Sequence, residues 1–280
     1  MLQRSIGAGA VVAALAIAAM PVSGQWFTYP NRAVPRTADG KPNLSAPAPR
    51  TADGRPDFSG VWLAGNHLAC PPMLRDGDDC LEKIPLSRET RDIGAGVKGG
   101  LPYQPWAAAL VKERVADNAA DDPHARCLPS AISRVWSLPH YTKVVQVPGL
   151  LLVLNEFNAS YRQIFTDGRP LPDDPNPAWT GYSSARWEGD ALLVNTLGFR
   201  DDLWLDMAGN PLTAAARVRE RIRRPNFGRL EVEFTVDDPN PYTRPWTATI
   251  VLDHAVDSEL VDEICLENEK SFERMQRVKQ

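Results

Sequence analysis

From Arg229 to Val236 the chain reads RLEVEFTV, with Leu230, Val232, Phe234 and Val236 on one side of an extended backbone and Arg229, Glu231, Glu233 and Thr235 on the other. Period-two alternation of this kind predicts a strand with one face in a core and the other in water. Comparable runs span Thr142 to Val147, Leu150 to Phe157, Ser160 to Phe165, Trp179 to Trp187, Ala191 to Phe199, Ala216 to Arg223, Pro245 to Leu252 and Leu260 to Glu267. Pro-Gly, Asp-Gly, Glu-Gly-Asp and Asn-Phe-Gly turns separate them. Strands so closely spaced imply a mainly β fold, an antiparallel barrel or sandwich occupying residues 139–270.

The pattern changes upstream. FSGVWL, Phe58 to Leu63, is a short β-prone run after an Asp-Gly-Arg-Pro turn, and its Gly60 and Trp62 match the Gly-x-Trp of the first strand in lipocalin-like barrels. Pro105 suits the first turn of a helix carrying Trp106, Ala109, Leu110 and Val115 to about Ala120. Residues 57–138 otherwise read as loops wrapped around the barrel, and 271–280 as a tail.

Residues 25–56 are proline-rich and state one phrase twice, PRTADGKPNLS from Pro35 and PRTADGRPDFS from Pro49. Two copies of this length are too short for a solenoid, whose units need ~20 residues or more. The second copy delivers the chain into FSGVW. The first leads only to Ala46-Pro-Ala-Pro49, so a mobile spacer is expected there, and removing residues 35–48 is expected to leave stability unchanged.

Residues 1–24 combine a basic Arg4, an uncharged apolar run from Ile6 to Met20 and small residues up to Gly24. This is the layout of a secretory signal peptide, and the apolar run falls short of the ~20 residues of a membrane span. A periplasmic or secreted protein without a membrane anchor is the expectation. Cleavage would leave 30 of the 31 basic residues against 35 acidic ones, a net charge of −5, which disfavours nucleic acid as a partner. Export also makes disulfides the expected state of the four cysteines, and of the three possible pairings Cys70–Cys80 with Cys127–Cys265 is favoured. No CxxC or HxxxH spacing supports a metal site. The GxGxxG at Gly94 to Gly99 lacks a preceding strand, and GYSSA at Gly181 to Ala185 misses the last glycine of a nucleophile elbow, so no cofactor is expected.

Candidate chemistry lies where charge interrupts apolar faces. Glu220 shares a face with Ala216, Val218 and Ile222, and Glu156 is in phase with Leu150, Leu152 and Leu154. An inward carboxylate costs several kcal/mol unless paired. Tyr182, Ser184 and Arg186 share one face of their strand, and Arg162 lies beside Tyr161, so these groups are candidates to line a common cavity with the carboxylates. Structural ion pairs of Glu156 and Glu220 with Arg162 and Arg186 at the barrel mouth are the competing reading. Asp201, Asp202 and Asp206 around Trp204 form a loop cluster of the kind that carries function, and His140 is a further acid or base.

Several long phrases resemble a widespread family of secreted, β-rich bacterial proteins of unassigned activity found in acidobacteria and proteobacteria. They are RTADGxPDxSGxW, LPYQPWAAAL, SYRQIFTDGRP, RWEGD, DDPNPYTRPW and the closing CLENEK, spread over residues 49–270. The resemblance implies an exported barrel. It also marks departures: Leu212, Ala214 and Leu266 stand where the family carries polar or ionisable groups. Two functions follow from these readings. One is binding of a small aromatic or glycosidic molecule without chemistry. The other is a cofactor-independent lyase, isomerase or hydrolase with Glu156 or Glu220 as base, Tyr182 or His140 as acid, and Arg162 or Arg186 holding an anion. The replaced positions favour binding, with Tyr161, Arg162, Arg186, Asp202, Trp204 and Asp206 as ligand contacts.

Overall fold

The computed structural model describes residues 33–64 and 91–267. The leader at 1–24 and the Cys70–Cys80 ring lie outside the described residues. The strands are β1 (Gly60–Ala64), β2 (Thr142–Val147), β3 (Leu150–Asn155), β4 (Ser160–Phe165), β5 (Tyr182–Glu188), β6 (Ala191–Leu197), β7 (Leu203–Trp204), β8 (Pro211–Leu212), β9 (Arg217–Asn226), β10 (Arg229–Asp237) and β11 (Trp246–His254). Nine of them close a barrel in the order β1-β11-β10-β9-β6-β5-β4-β3-β2, while β7 and β8 pair separately. Helices α1 (Pro105–Ala116) and α2 (Arg134–Ser137) precede β2.

The strongest alternation builds the firmest wall. In register, Val232 of β10 stands between Ile222 of β9 and Ile250 of β11, and Phe234 between Glu220 and Ala248. Leu230, Val232, Phe234 and Val236 are wholly buried. Trp62, Ile132 and Trp136 join them in the core, the last two brought there by α2 and the turn before it. Arg224, also buried, donates to the carbonyls of Asp57 (2.6 Å) and Phe227 (2.7 Å) and lies 4.7 Å over the Trp62 ring.

Four features depart from the sequence reading. The barrel starts at β1, which pairs with both β11 and β2 and so closes the ring ahead of residue 139. With both neighbours of β1 already in place, Leu260 to Glu267 adds no strand to the barrel. It makes one parallel bridge, Glu263 to Phe157, and a 3-10 turn at Cys265–Glu267. The barrel is mixed rather than wholly antiparallel: β4 and β5 run parallel, which their long proline-rich connection over 166–181 permits and a tight hairpin would forbid. Helix α1 stops at Ala116, with Asn118 and Ala119 at φ 52° and 57° just beyond it. The Cys127–Cys265 disulfide is present, with a Cα–Cα separation of 5.5 Å, and spans 138 positions of sequence.

The doubled phrase folds twice into one motif. In each copy the threonine hydroxyl donates to the aspartate two residues on (Thr37 to Asp39, Thr51 to Asp53, both 2.5 Å), and the arginine donates to its own glycine carbonyl. Each arginine also grips the barrel, Arg50 through two bonds to Asp190 (3.0 and 2.7 Å) and Arg36 through Asp257 (2.7 Å). The first copy is therefore docked and not a spacer. Leu44 and Ala46 accept from the backbone of Gly228 and Phe227 at 2.8 Å, and a Cβ at position 228 would fall 2.6 Å from that of Leu44. Two backbone hydrogen bonds and an ion pair amount to about 2 kcal/mol. Deletion of residues 35–48 should therefore lower Tm by about 4–8 °C, as calorimetry would show. An unchanged Tm would mean that the docking contributes nothing.

Candidate functional site

Strands β4 and β5 touch only where Ile164 and Phe165 meet Ser183 and Ser184, so Ser160 to Gln163 of β4 have no partner on that side. The wall parts there into an open cleft of about 560 Å³. Four aromatic side chains line it: Tyr161 and Phe165 from β4, Tyr182 from β5, and Trp179 from the connection before β5. Their sequence phase explains the arrangement. The alternating pleat turns Arg162 and Ile164 inward, leaving Tyr161 and Phe165 at the outer lip. Tyr161 is 65% exposed, a large aromatic surface left outside the core.

The floor is polar. The Arg162 guanidinium donates to Glu220 at 2.9 and 2.5 Å, to Ser183 at 3.3 and 3.0 Å and to Thr196 at 3.1 Å. Trp136 completes the Glu220 carboxylate from the other side, its Nε1 donating at 2.8 Å. Neither side chain of the Arg162–Glu220 pair has any solvent exposure. The bidentate geometry and the surrounding hydroxyls are what a buried ion pair requires. Ser130, 4% exposed, also lines the cleft, and its hydroxyl has no hydrogen-bond partner among the described residues.

The remaining candidates lie elsewhere. Arg186 is exposed on the outer wall, beside Leu193 and Arg219, because the face it shares with Tyr182 and Ser184 points out while Ser183 and Ala185 point in. On β3 the inward set is Leu151, Val153 and Asn155, one residue out of phase with the expected one. A one-residue shift exchanges every side chain between faces, and LLLVLN is apolar in both phases. Glu156 sits past the end of β3, accepting from the backbone of Tyr141 (2.8 Å) and Val261 (3.5 Å). Burial raises its pKa, and the Glu263 charge adds to the rise against those two backbone donors.

His140 pairs with Glu263 at 3.0 Å, and burial lowers its pKa against that carboxylate. Asp206 is wholly buried, accepting from Ile93 N (2.7 Å), Asn210 N (3.1 Å) and Asn210 Nδ2 (2.6 Å). Desolvation outweighs those donors and raises its pKa to about 6. It fastens the turn at Ile93 to the loop joining β7 and β8. Trp204 carries the Arg114 guanidinium 4.2 Å over its ring, and Asp202, at φ 60°, lines a separate depression of about 270 Å³ next to them. Leu212 is core, Ala214 donates its N–H to Asp201 (2.9 Å), and Leu266 is 74% exposed.

Of the candidates, then, Arg162, Tyr161 and Tyr182 line one cleft with Glu220 paired behind Arg162, while Glu156, His140, Arg186, Asp202, Trp204 and Asp206 occupy other places. Ser130, Phe165 and Trp179 belong to the cleft but not to the candidates. Trp179 and Phe165 carried a usable signal, an aromatic at each end of a proline-rich connection. No family model matches the sequence, and no curated protein matches it.

Proposed function

We propose that this is an exported protein that binds a small ring-shaped molecule, aromatic or glycosidic, in the β4–β5 cleft without transforming it. The observation that carries the reading is the cleft itself: four aromatic side chains around an opening of drug-sized volume, over a hydrogen-bonded polar floor. Glu220 is ill placed as a base, because Arg162 and Trp136 already occupy its oxygens and no solvent reaches it. The signal-like leader, the Cys127–Cys265 disulfide and the resemblance to secreted β-rich bacterial proteins support export.

Trp179→Ala tests the site. Compounds found by thermal shift in a library of aromatics and glycosides should bind this variant at least tenfold more weakly by calorimetry. The loss corresponds to the ~1.4 kcal/mol or more expected for removing a stacking face. Binding unaffected by the substitution would place the ligand outside the cleft.

A further inference from the structure

Resting on that reading, we infer that the cleft selects uncharged glycosides, with a pyranose ring against the aromatic side chains and a sugar hydroxyl paired with Ser130. The inference comes from the electrical balance of the lining. Among the described residues Arg162 is the one charged residue that lines the cleft, and Glu220 neutralises it through two bonds. Of the two guanidiniums stacked on the cleft's aromatics, Arg169 over Phe165 is held by three bonds to Asp167 at 3.0, 2.9 and 2.6 Å. Arg200 lies 5.2 Å over the Trp179 ring and is not part of the lining. An anionic ligand entering the floor would lose water without meeting an uncompensated cation, which is unfavourable.

A wholly apolar aromatic fails for the opposite reason. It would satisfy the rings and leave the Ser130 hydroxyl unpaired, while covering the amide of Gln163 and the hydroxyl of Thr180, which also line the cleft. A pyranose presents an apolar C–H face and a girdle of hydroxyls, so it matches both surfaces. A site that hydrogen-bonds a substrate hydroxyl discriminates strongly against analogues lacking it.

The test is isothermal calorimetry of the full chain with p-nitrophenyl glycosides of β-glucose, β-galactose and α-mannose, alongside p-nitrophenyl β-glucuronide and p-nitroanisole. The expected result is at least one neutral glycoside binding tenfold or more tightly than both the glucuronide and p-nitroanisole. Ser130→Ala should weaken that glycoside about fivefold, the loss of one hydrogen bond, and leave p-nitroanisole unaffected. Glucuronide binding as tightly as the neutral sugars would overturn the charge argument. p-Nitroanisole binding as tightly would overturn the sugar assignment. Either result leaves the cleft as a site, whereas failure of every probe together with no Trp179-dependent library hit would remove the binding reading itself.

Discussion

Glu220→Gln should destabilise the protein by about 3–5 kcal/mol, because it strips Arg162 of its counter-charge in a place with no water to replace it. The pair is fully enclosed, and its bonds converge from four strands and a helix: Arg162 from β4, Ser183 from β5, Thr196 from β6, Glu220 from β9 and Trp136 from α2. Breaking it from either side leaves one buried ion, so Arg162→Met should cost a similar amount. Arg162→Met/Glu220→Leu should cost clearly less than the sum of the singles, since the double variant leaves no ion behind. Urea denaturation of the four proteins reads this directly. Strict additivity, or a Glu220→Gln loss under 1 kcal/mol, would mean that the pair is solvated or that the interior rearranges around it.

That pair shows what the sequence could and could not disclose. Glu220 was legible because ARVRERIR alternates so regularly that one acid among Ala216, Val218 and Ile222 is visibly on the wrong face. Its partner was nameable as a type but not as a position, since Arg162 on β4 and Arg186 on β5 both lie beyond β6, the strand next to β9, and only the pleat phase separates them. Where a strand is apolar on both faces, as in LLLVLN, periodicity holds no phase information, and Glu156 was misdirected accordingly. Trp136 sits in a four-residue helix too short to show any period. The parallel β4–β5 junction, which opens the cleft, depends on a crossover whose path is a tertiary fact. The first RTADG copy was misread for the same reason: what holds it are Asp257 and Gly228, roughly two hundred residues away, and nothing local announces them.

Acidification below about pH 6.5 should destabilise the protein, and two buried histidines contribute most to the loss. His254 lies between Trp62 and Phe227, at ring separations of 4.7 and 4.8 Å, and its Nδ1 has no partner among the described residues. Burial, reinforced by the Arg224 charge, lowers its pKa to about 4. His124 stacks on Phe157 at 3.8 Å with its own Nδ1 unpartnered among the described residues, and burial with the Arg134 charge lowers its pKa to about 4 as well. Both rings are neutral in the fold and protonate near 6.5 when unfolded. Their stabilisation is thus complete above about pH 6.5 and is lost as pH falls toward 4, about 3 kcal/mol for each ring.

Asp206 works in the other direction. Its pKa, raised to about 6 in the fold against 3.8 unfolded, makes it a gain of about 3 kcal/mol on acidification over the same window. The two histidines outweigh it, so a net loss of about 3 kcal/mol between pH 6.5 and 4 is expected from these three groups. Urea midpoints measured across that range should fall with pH. The slope should flatten in His254→Gln, flatten again when His124→Gln is added, and steepen in Asp206→Asn, which removes the opposing group. A midpoint independent of pH in the parent protein would show that these rings are already charged or already solvated in the fold. The buried aromatic stacking of His254 on Trp62 would then need another explanation.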